Sequence, residues 1–253
     1  VVDLSNKVAL VTGSGQGVGQ GIALALASAG ADIVVCGRTA EKLAATCAEI
    51  EARGRRALPL TGNVKDADDL SRIVTAACEH FGGIDILVNN AQEVPAGRLL
   101  DVTDEAFTAG FESGPLATFR LMKLVHPVMV ARGGGTIINL ASSAAERWDP
   151  SGYGAYGAVK QAIRTLTRAA AAEWGREGIR AIAIAPHAES PGLKKWVERN
   201  PVEAEAFFRT IPLGRIGRLE EDIGRAVVSL CGPDMGYLTG ATVPLDGGQA
   251  NFG

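Results

Sequence analysis

Seven short apolar runs, rich in β-branched residues and separated by longer alanine-rich stretches, constrain the fold of this chain more than anything else in it. They begin near Lys7 (KVALVT), Ala31 (ADIVVC), Ala57 (ALPL), Ile84 (IDILVNN), Thr136 (TIINLAS), Ile179 (IRAIAIA) and Ala241 (ATVPLDGG). The first four start about 25 residues apart, enough for a strand, a helix and a return. Strands that are apolar throughout and separated by helices predict a parallel sheet covered on both faces. Wider gaps later leave room for long helices over about 103–131 and 152–176, and for an irregular segment over about 188–212. With no Pro- or Ser-rich linker and no repeat, one doubly wound α/β domain over 1–253 is expected. Right-handed crossovers then place its ligand at the carboxyl ends of the strands.

The charge balance removes several classes of function. Twenty-five basic against 28 acidic residues leave a net charge of −3, with no basic face or charge block to suit a nucleic acid or a membrane surface. Asp32 interrupts the best candidate for a membrane span, 22–35. The first seven residues lack a basic-then-apolar leader pattern. Cys36, Cys47, Cys78 and Cys231 are scattered and read as reduced thiols of a cytoplasmic protein. His80, His126 and His187 are too dispersed for a metal site, so no metal is expected.

Between the first strand and first helix lies Thr12-Gly13-Ser14-Gly15-Gln16-Gly17-Val18-Gly19, a T-G-x-x-x-G-x-G turn. Such a turn lets the backbone approach a pyrophosphate, and the helix behind it presents unpaired N–H groups. A plain tight turn with packing glycines is the alternative. At the end of the second strand, an acidic residue would bond a ribose 2′-hydroxyl and a basic one would accommodate a 2′-phosphate. The chain has Cys36-Gly37-Arg38 there, which favours NADP(H) while leaving NAD(H) possible. Asn63, after the third strand, either bonds the adenine amino group or caps its own loop.

A second cluster opens the long helix after the fifth strand. Tyr156 and Lys160 are four residues apart and share a helix face. A free phenol has a pKa of about 10, and a neighbouring cation lowers it toward the range of a proton carrier. Ser142, at the end of the fifth strand, is placed to hydrogen-bond a carbonyl or alcohol.

Together these motifs resemble the compact, single-domain branch of the short-chain dehydrogenase/reductase superfamily. Asn89-Asn90-Ala91, Pro186 and the ending Gly236-Tyr237-Leu238-Thr239-Gly240 through Asp246-Gly247-Gly248 extend the resemblance over essentially the whole chain. It implies a Rossmann fold with strand order 3-2-1-4-5-6-7, a homotetramer, and an oxidoreductase interconverting a ketone or aldehyde with an alcohol. Tyr156 would be the proton donor or acceptor, Ser142 the substrate-orienting group, and Lys160 the residue that binds the nicotinamide ribose and lowers the tyrosine pKa. The cofactor would meet Gly13, Ser14, Gln16, Gly17, Val18, Gly19, Arg38, Asn63, Val64, Asn90, Ala91, Tyr156, Lys160 and Pro186.

The chain also departs from that family pattern. Gln92 replaces a glycine beside the cofactor, His187 another after Pro186, and Pro191 a threonine whose contact to the nicotinamide carboxamide has Ser190 as its candidate replacement. Phe111 stands where the family has a helix asparagine. Pro115, four residues on, has no N–H for the Phe111 carbonyl; either that carbonyl is free for a water leading to Lys160, or the kink is purely structural and Phe111 fills the core. Gln92, Trp148, Tyr153 and His187 are candidate substrate-lining residues, and 188–212 a candidate lid. These departures keep one alternative open, a catalytically weak dinucleotide-binding sensor or scaffold.

Overall fold

Each apolar run becomes a strand and the stretches between become helices; the computed structural model describes residues 2–146 and 152–250. In chain order the elements are β1 (Val8–Thr12), α1 (Gly17–Ser28), β2 (Asp32–Gly37), α2 (Ala40–Glu51), β3 (Ala57–Thr61), α3 (Ala67–Phe81) and β4 (Ile86–Asn89). There follow α4 (Asp104–Phe111), α5 (Ala117–Ala131), β5 (Gly135–Leu140), α6 (Gly154–Trp174) and β6 (Ile179–Pro186). Two short helices, α7 (Pro191–Arg199) and α8 (Pro201–Arg209), precede α9 (Arg225–Cys231) and β7 (Thr242–Leu245). The strands form one parallel sheet in the order 3-2-1-4-5-6-7, as expected.

Alternate residues of each strand face opposite sides, which gives two cores. Val11 and Ile33 pack with Ile22 and Leu26 of α1 on one face. Leu10, Val34 and Leu87 pack with Leu70 of α3 and Leu121 of α5 on the other.

The amino edge of the sheet is closed by paired charges, because a buried carboxylate without partners is costly. Asp85 accepts from the Val8 N–H at 2.9 Å and from Arg132 at 2.8 and 3.1 Å. Asp32, at the start of β2, is held by Arg55 at 2.8 Å and Arg56 at 2.5 Å. The carboxyl edge carries the glycine turn, Ser142 and the start of α6.

Two expectations change. The helix foreseen over 103–131 is interrupted by a π-helical turn, Glu112–Leu116. Pro115 offers no N–H to the Phe111 carbonyl, and a π turn pairs each carbonyl with the fifth N–H along, stepping over the proline to Leu116. The carbonyl that one of the two alternatives left free therefore has a main-chain donor at hand. The segment foreseen as irregular forms α7 and α8. Ser190 caps α7 by accepting from the Leu193 N–H at 3.1 Å, and Pro191 and Pro201 open the two helices.

Helix α6 is tied to the sheet by a buried polar chain. Asn89 Nδ2 donates to Asn139 Oδ1 at 2.8 Å, and Asn139 Nδ2 donates to Thr167 Oγ1 of α6 at 2.9 Å. Replacing Asn139 by Ala removes both bonds and leaves the buried Asn89 Nδ2 without its partner, while Thr167 keeps its bond to the Ile163 carbonyl. The expected loss is about 2–3 kcal/mol of folding free energy, measured by urea denaturation.

Candidate active site

Thr12 joins the glycine turn to the end of β4. Its hydroxyl accepts from the Asn90 and Ala91 N–H groups, both at 3.0 Å, and donates to the Val88 carbonyl at 3.3 Å. Asn90 Nδ2 in turn braces the turn through the Thr12 carbonyl at 2.8 Å and the Gly13 carbonyl at 3.2 Å. Gly13 has φ +66°, and a Cβ there would lie 2.7 Å from Asn90 Nδ2, so only glycine fits.

Behind the turn, α1 begins after Gln16 with no side-chain cap and no acidic residue in its first turn. Its leading N–H groups and partial positive charge suit an anion, and the residues present fit a dinucleotide pyrophosphate. Gly17, Val18 and Gly19 form that first turn. The Gln16 Oε1 accepts from Lys42 Nζ at 2.5 Å, which brings a second cation to the cleft beside Arg38. Sequence reading missed Lys42; its place in the first turn of the helix after Arg38 was the available signal.

Several predicted cofactor residues also make internal contacts. Ser14 is fully buried, its hydroxyl donating to the Val11 carbonyl at 2.7 Å and accepting from the Cys36 N–H at 3.1 Å. Asn63 Oδ1 accepts from the Lys65 N–H at 3.2 Å, the loop cap that was one of its two alternatives. Val64 is a core residue. Arg38 is exposed and ion-paired with Glu93 at 3.2 Å.

Gln92, a candidate substrate-lining residue, is turned toward the protein. Its Nε2 donates to the Glu93 carbonyl at 2.7 Å and the Gly110 carbonyl at 2.9 Å, and lies 3.3 Å from Ser113 Oγ. Ser113 Oγ donates to the Ala109 carbonyl and accepts from the Glu93 N–H at 2.9 Å. Gly114 supplies the space, since a Cβ there would stand 2.5 Å from Gln92 Oε1. Phe111 faces away, its ring 4.9 Å from that of Phe107, along an apolar groove completed by Pro115, Leu116 and Phe119.

Tyr156, Lys160 and Ser142 converge at the carboxyl ends of β5 and β6. Gly157 permits this, because a Cβ there would lie 2.8 Å from the Ala144 carbonyl in the single turn that follows Ser142. That turn is anchored by Gln161, which donates to the Ala145 carbonyl at 2.8 Å and to Glu146 at 3.0 Å, and by Arg164, which pairs with Glu146. These anchors were not foreseen. The Lys160 Nζ lies 5.3 Å from the Tyr156 ring centroid and donates to the Leu140 carbonyl at 2.6 Å.

The tyrosine pKa is raised, contrary to expectation. Burial pushes it up, a hydrogen bond with Ser142 opposes that, and Tyr153 adds to the rise. Lys160 does not offset this because burial brings its own pKa down to about 7.

Tyr153 is exposed, with its ring edge-on to Tyr156 at 6.2 Å. His187 follows Pro186 at the end of β6 and meets Phe207 of α8 edge-on at 5.2 Å; Phe207 also meets Trp196 of α7 at 5.8 Å. Ser190, capping α7, is committed to that helix rather than to a carboxamide. Trp148 lies outside the described residues.

A family model described as enoyl-(acyl carrier protein) reductase, of the short-chain alcohol dehydrogenase type, matches residues 13–250. The chain is 38% identical over 251 residues to a 12α-hydroxysteroid dehydrogenase of Clostridium sp., covering 96% of each. Among solved structures, it superposes with TM-score 0.92 and 31% identity on 7α-hydroxysteroid dehydrogenase complexed with NADH and 7-oxo glycochenodeoxycholic acid, covering 98% of this chain and 96% of that one. The actinorhodin polyketide ketoreductase with NADPH gives TM-score 0.91 at 30% identity, covering 97% and 98%. The chain belongs to the short-chain dehydrogenase/reductase family. It is an NAD(P)-dependent oxidoreductase acting on CH–OH and C=O groups.

Lys160 gives the free protein a pH signature. In the unfolded chain a lysine keeps its proton to about pH 10.5, whereas the folded residue releases it near 7. Between these values the unfolded state binds more protons, so stability rises with pH. Relative to Lys160→Met, the protein should gain about 1 kcal/mol per pH unit across that window, read from paired denaturation curves.

Proposed function

We propose that this enzyme interconverts a ketone and an alcohol on a largely apolar substrate, with Tyr156 exchanging the oxygen-bound proton and NADP(H) as the preferred cofactor. The observation that carries the reading is the convergence of a half-buried phenol, a serine hydroxyl and a buried lysine beside an uncapped helix start. Nicotinamide, when bound, supplies or accepts the hydride. Ser142 holds the substrate oxygen against the phenol, and the raised tyrosine pKa keeps the phenol protonated, ready to donate during carbonyl reduction. Lys160, close to half-protonated at neutral pH, is poised to pass a proton onward or to hold a ribose hydroxyl. His187, Phe207, Trp196 and Tyr153 supply an aromatic wall suited to a fused-ring or polyketide-like carbonyl compound, the chemistry in the relatives' names.

The sensor alternative drew on Gln92, Phe111 and His187. Gln92 is turned into the protein and Phe111 onto its surface, which leaves the catalytic trio unobstructed by either. Assembly into a homotetramer is part of the proposal, supported by the exposed apolar strip of Phe107, Leu116 and Phe119. A cytoplasmic setting accords with the free cysteines, and among the described residues no helix is long and apolar enough to cross a membrane.

Tyr156→Phe should lower kcat for reduction of a ketosteroid or decalone panel by about a hundredfold to ten-thousandfold while NADPH still binds. Tight cofactor binding with no turnover by the unsubstituted enzyme on that panel would favour the sensor. Arg38→Ala should weaken NADPH by about tenfold or more and NADH far less, by calorimetry. Equal losses would remove Arg38 as the discriminator.

A further inference from the structure

The loop after β4 returns a carboxylate to a cleft whose β2 end has none. Glu93 lies 3.2 Å from Arg38, which follows β2, and 3.4 Å from Lys65, which follows β3. In the sheet order 3-2-1-4 these contacts must pass over the carboxyl end of β1, where the glycine turn begins. The main chain of Glu93 is fixed on the far side of the crevice by Ser113 and Gln92, so its side chain is directed across rather than free to swing away. Glu93 and Lys65 are about two-thirds or more screened from solvent, and Arg38 is exposed. Arg38 therefore already has a carboxylate partner at Nη1, while most of its guanidinium stays open to solvent.

We propose that Glu93 is an internal counter-ion for Arg38 and Lys65 that competes with the 2′-phosphate of NADP(H), and so sets how strongly the site prefers NADP(H) over NAD(H). The inference rests on the proposed role of Arg38. A phosphate entering this corner, with Lys42 nearby on Gln16, meets Arg38 and Lys65 beside that carboxylate and draws on both cations fully only by loosening it. A cofactor ending in a ribose 2′-hydroxyl makes no such demand, and the carboxylate can accept from that hydroxyl. The same residue thus handicaps one cofactor and accommodates the other. An exposed guanidinium–carboxylate pair is weak enough to exchange partners readily.

The test is calorimetric titration of NADPH and NADH into the full chain, its Glu93→Gln and Arg38→Ala variants, and the double variant. Glutamine keeps the volume of Glu93 and both main-chain bonds of that residue, so the loop stays in place; thermal melts verify this. Glu93→Gln should raise the ratio of NADPH to NADH affinity by about threefold or more. In the Arg38→Ala background the gain should shrink below about twofold, because the competition runs mainly through the guanidinium. An unchanged or lowered ratio in Glu93→Gln overturns the counter-ion role while a selective Arg38→Ala loss leaves the NADP(H) reading standing. An equal gain with and without Arg38 also overturns it, making Glu93 a charge that merely repels the phosphate. An unselective Arg38→Ala loss removes the NADP(H) reading itself, and the counter-ion role with it.

Discussion

The hydroxyl of Thr12 lies where the winding of the sheet reverses. From β1 the chain builds outward to β3, then crosses back to lay β4 on the other side of β1, and the loops on either side diverge to leave a crevice. Three hydrogen bonds from one side chain close the floor of that crevice, joining the glycine turn to the Asn90-Ala91 backbone. Much else is suspended from this join. Asn90 braces the turn, Ala91 leads to Gln92 and Glu93, and these reach Gly110 and Ser113 at the break between α4 and α5. That break packs on Val159, the residue before Lys160. The glycine-turn end and the Tyr156–Lys160 end of the cleft are thus parts of one connected frame.

The sheet was legible because its strands are apolar on both faces, and a parallel sheet covered by the helices between them buries such runs. The Tyr156–Lys160 pair was legible because a four-residue spacing on a helix is a geometric statement. What escaped was direction. A sequence says that Gln92 stands where glycine is usual, but the side chain points toward the partners it can satisfy, and those lie some 20 residues away in α4 and beyond. Ser14 was read as meeting a ligand and Asn63 as meeting one or capping its loop; each has a near main-chain partner that a short polar side chain reaches readily. The helices at 191–209 were within reach of a reading that weighed Ser190-Pro191 and Asn200-Pro201 as starts.

The tyrosine illustrates two opposed effects of one environment. The water exclusion that makes a proton carrier effective also disfavours its anion, and the lysine meant to compensate is disfavoured as a cation by the same burial. In the free protein the pair therefore leans toward neutral phenol and a partly neutral amine. The charge pattern of a working site is completed only when further polar groups enter the cleft.

The π turn at 112–116 also has a bearing on how this segment can vary. One extra residue in a helical turn is a phase shift of about 100° between everything before it and everything after. In α4 the phase offers the Gly110 carbonyl to Gln92; in α5 it seats Leu121, Met122 and Val125 in the core. A continuous α-helix of the same sequence could keep one alignment or the other. Length in this stretch is thus far more tightly constrained than composition: exchange of Phe111 alters a groove, whereas loss of one residue would turn one helix face out of register with its neighbours.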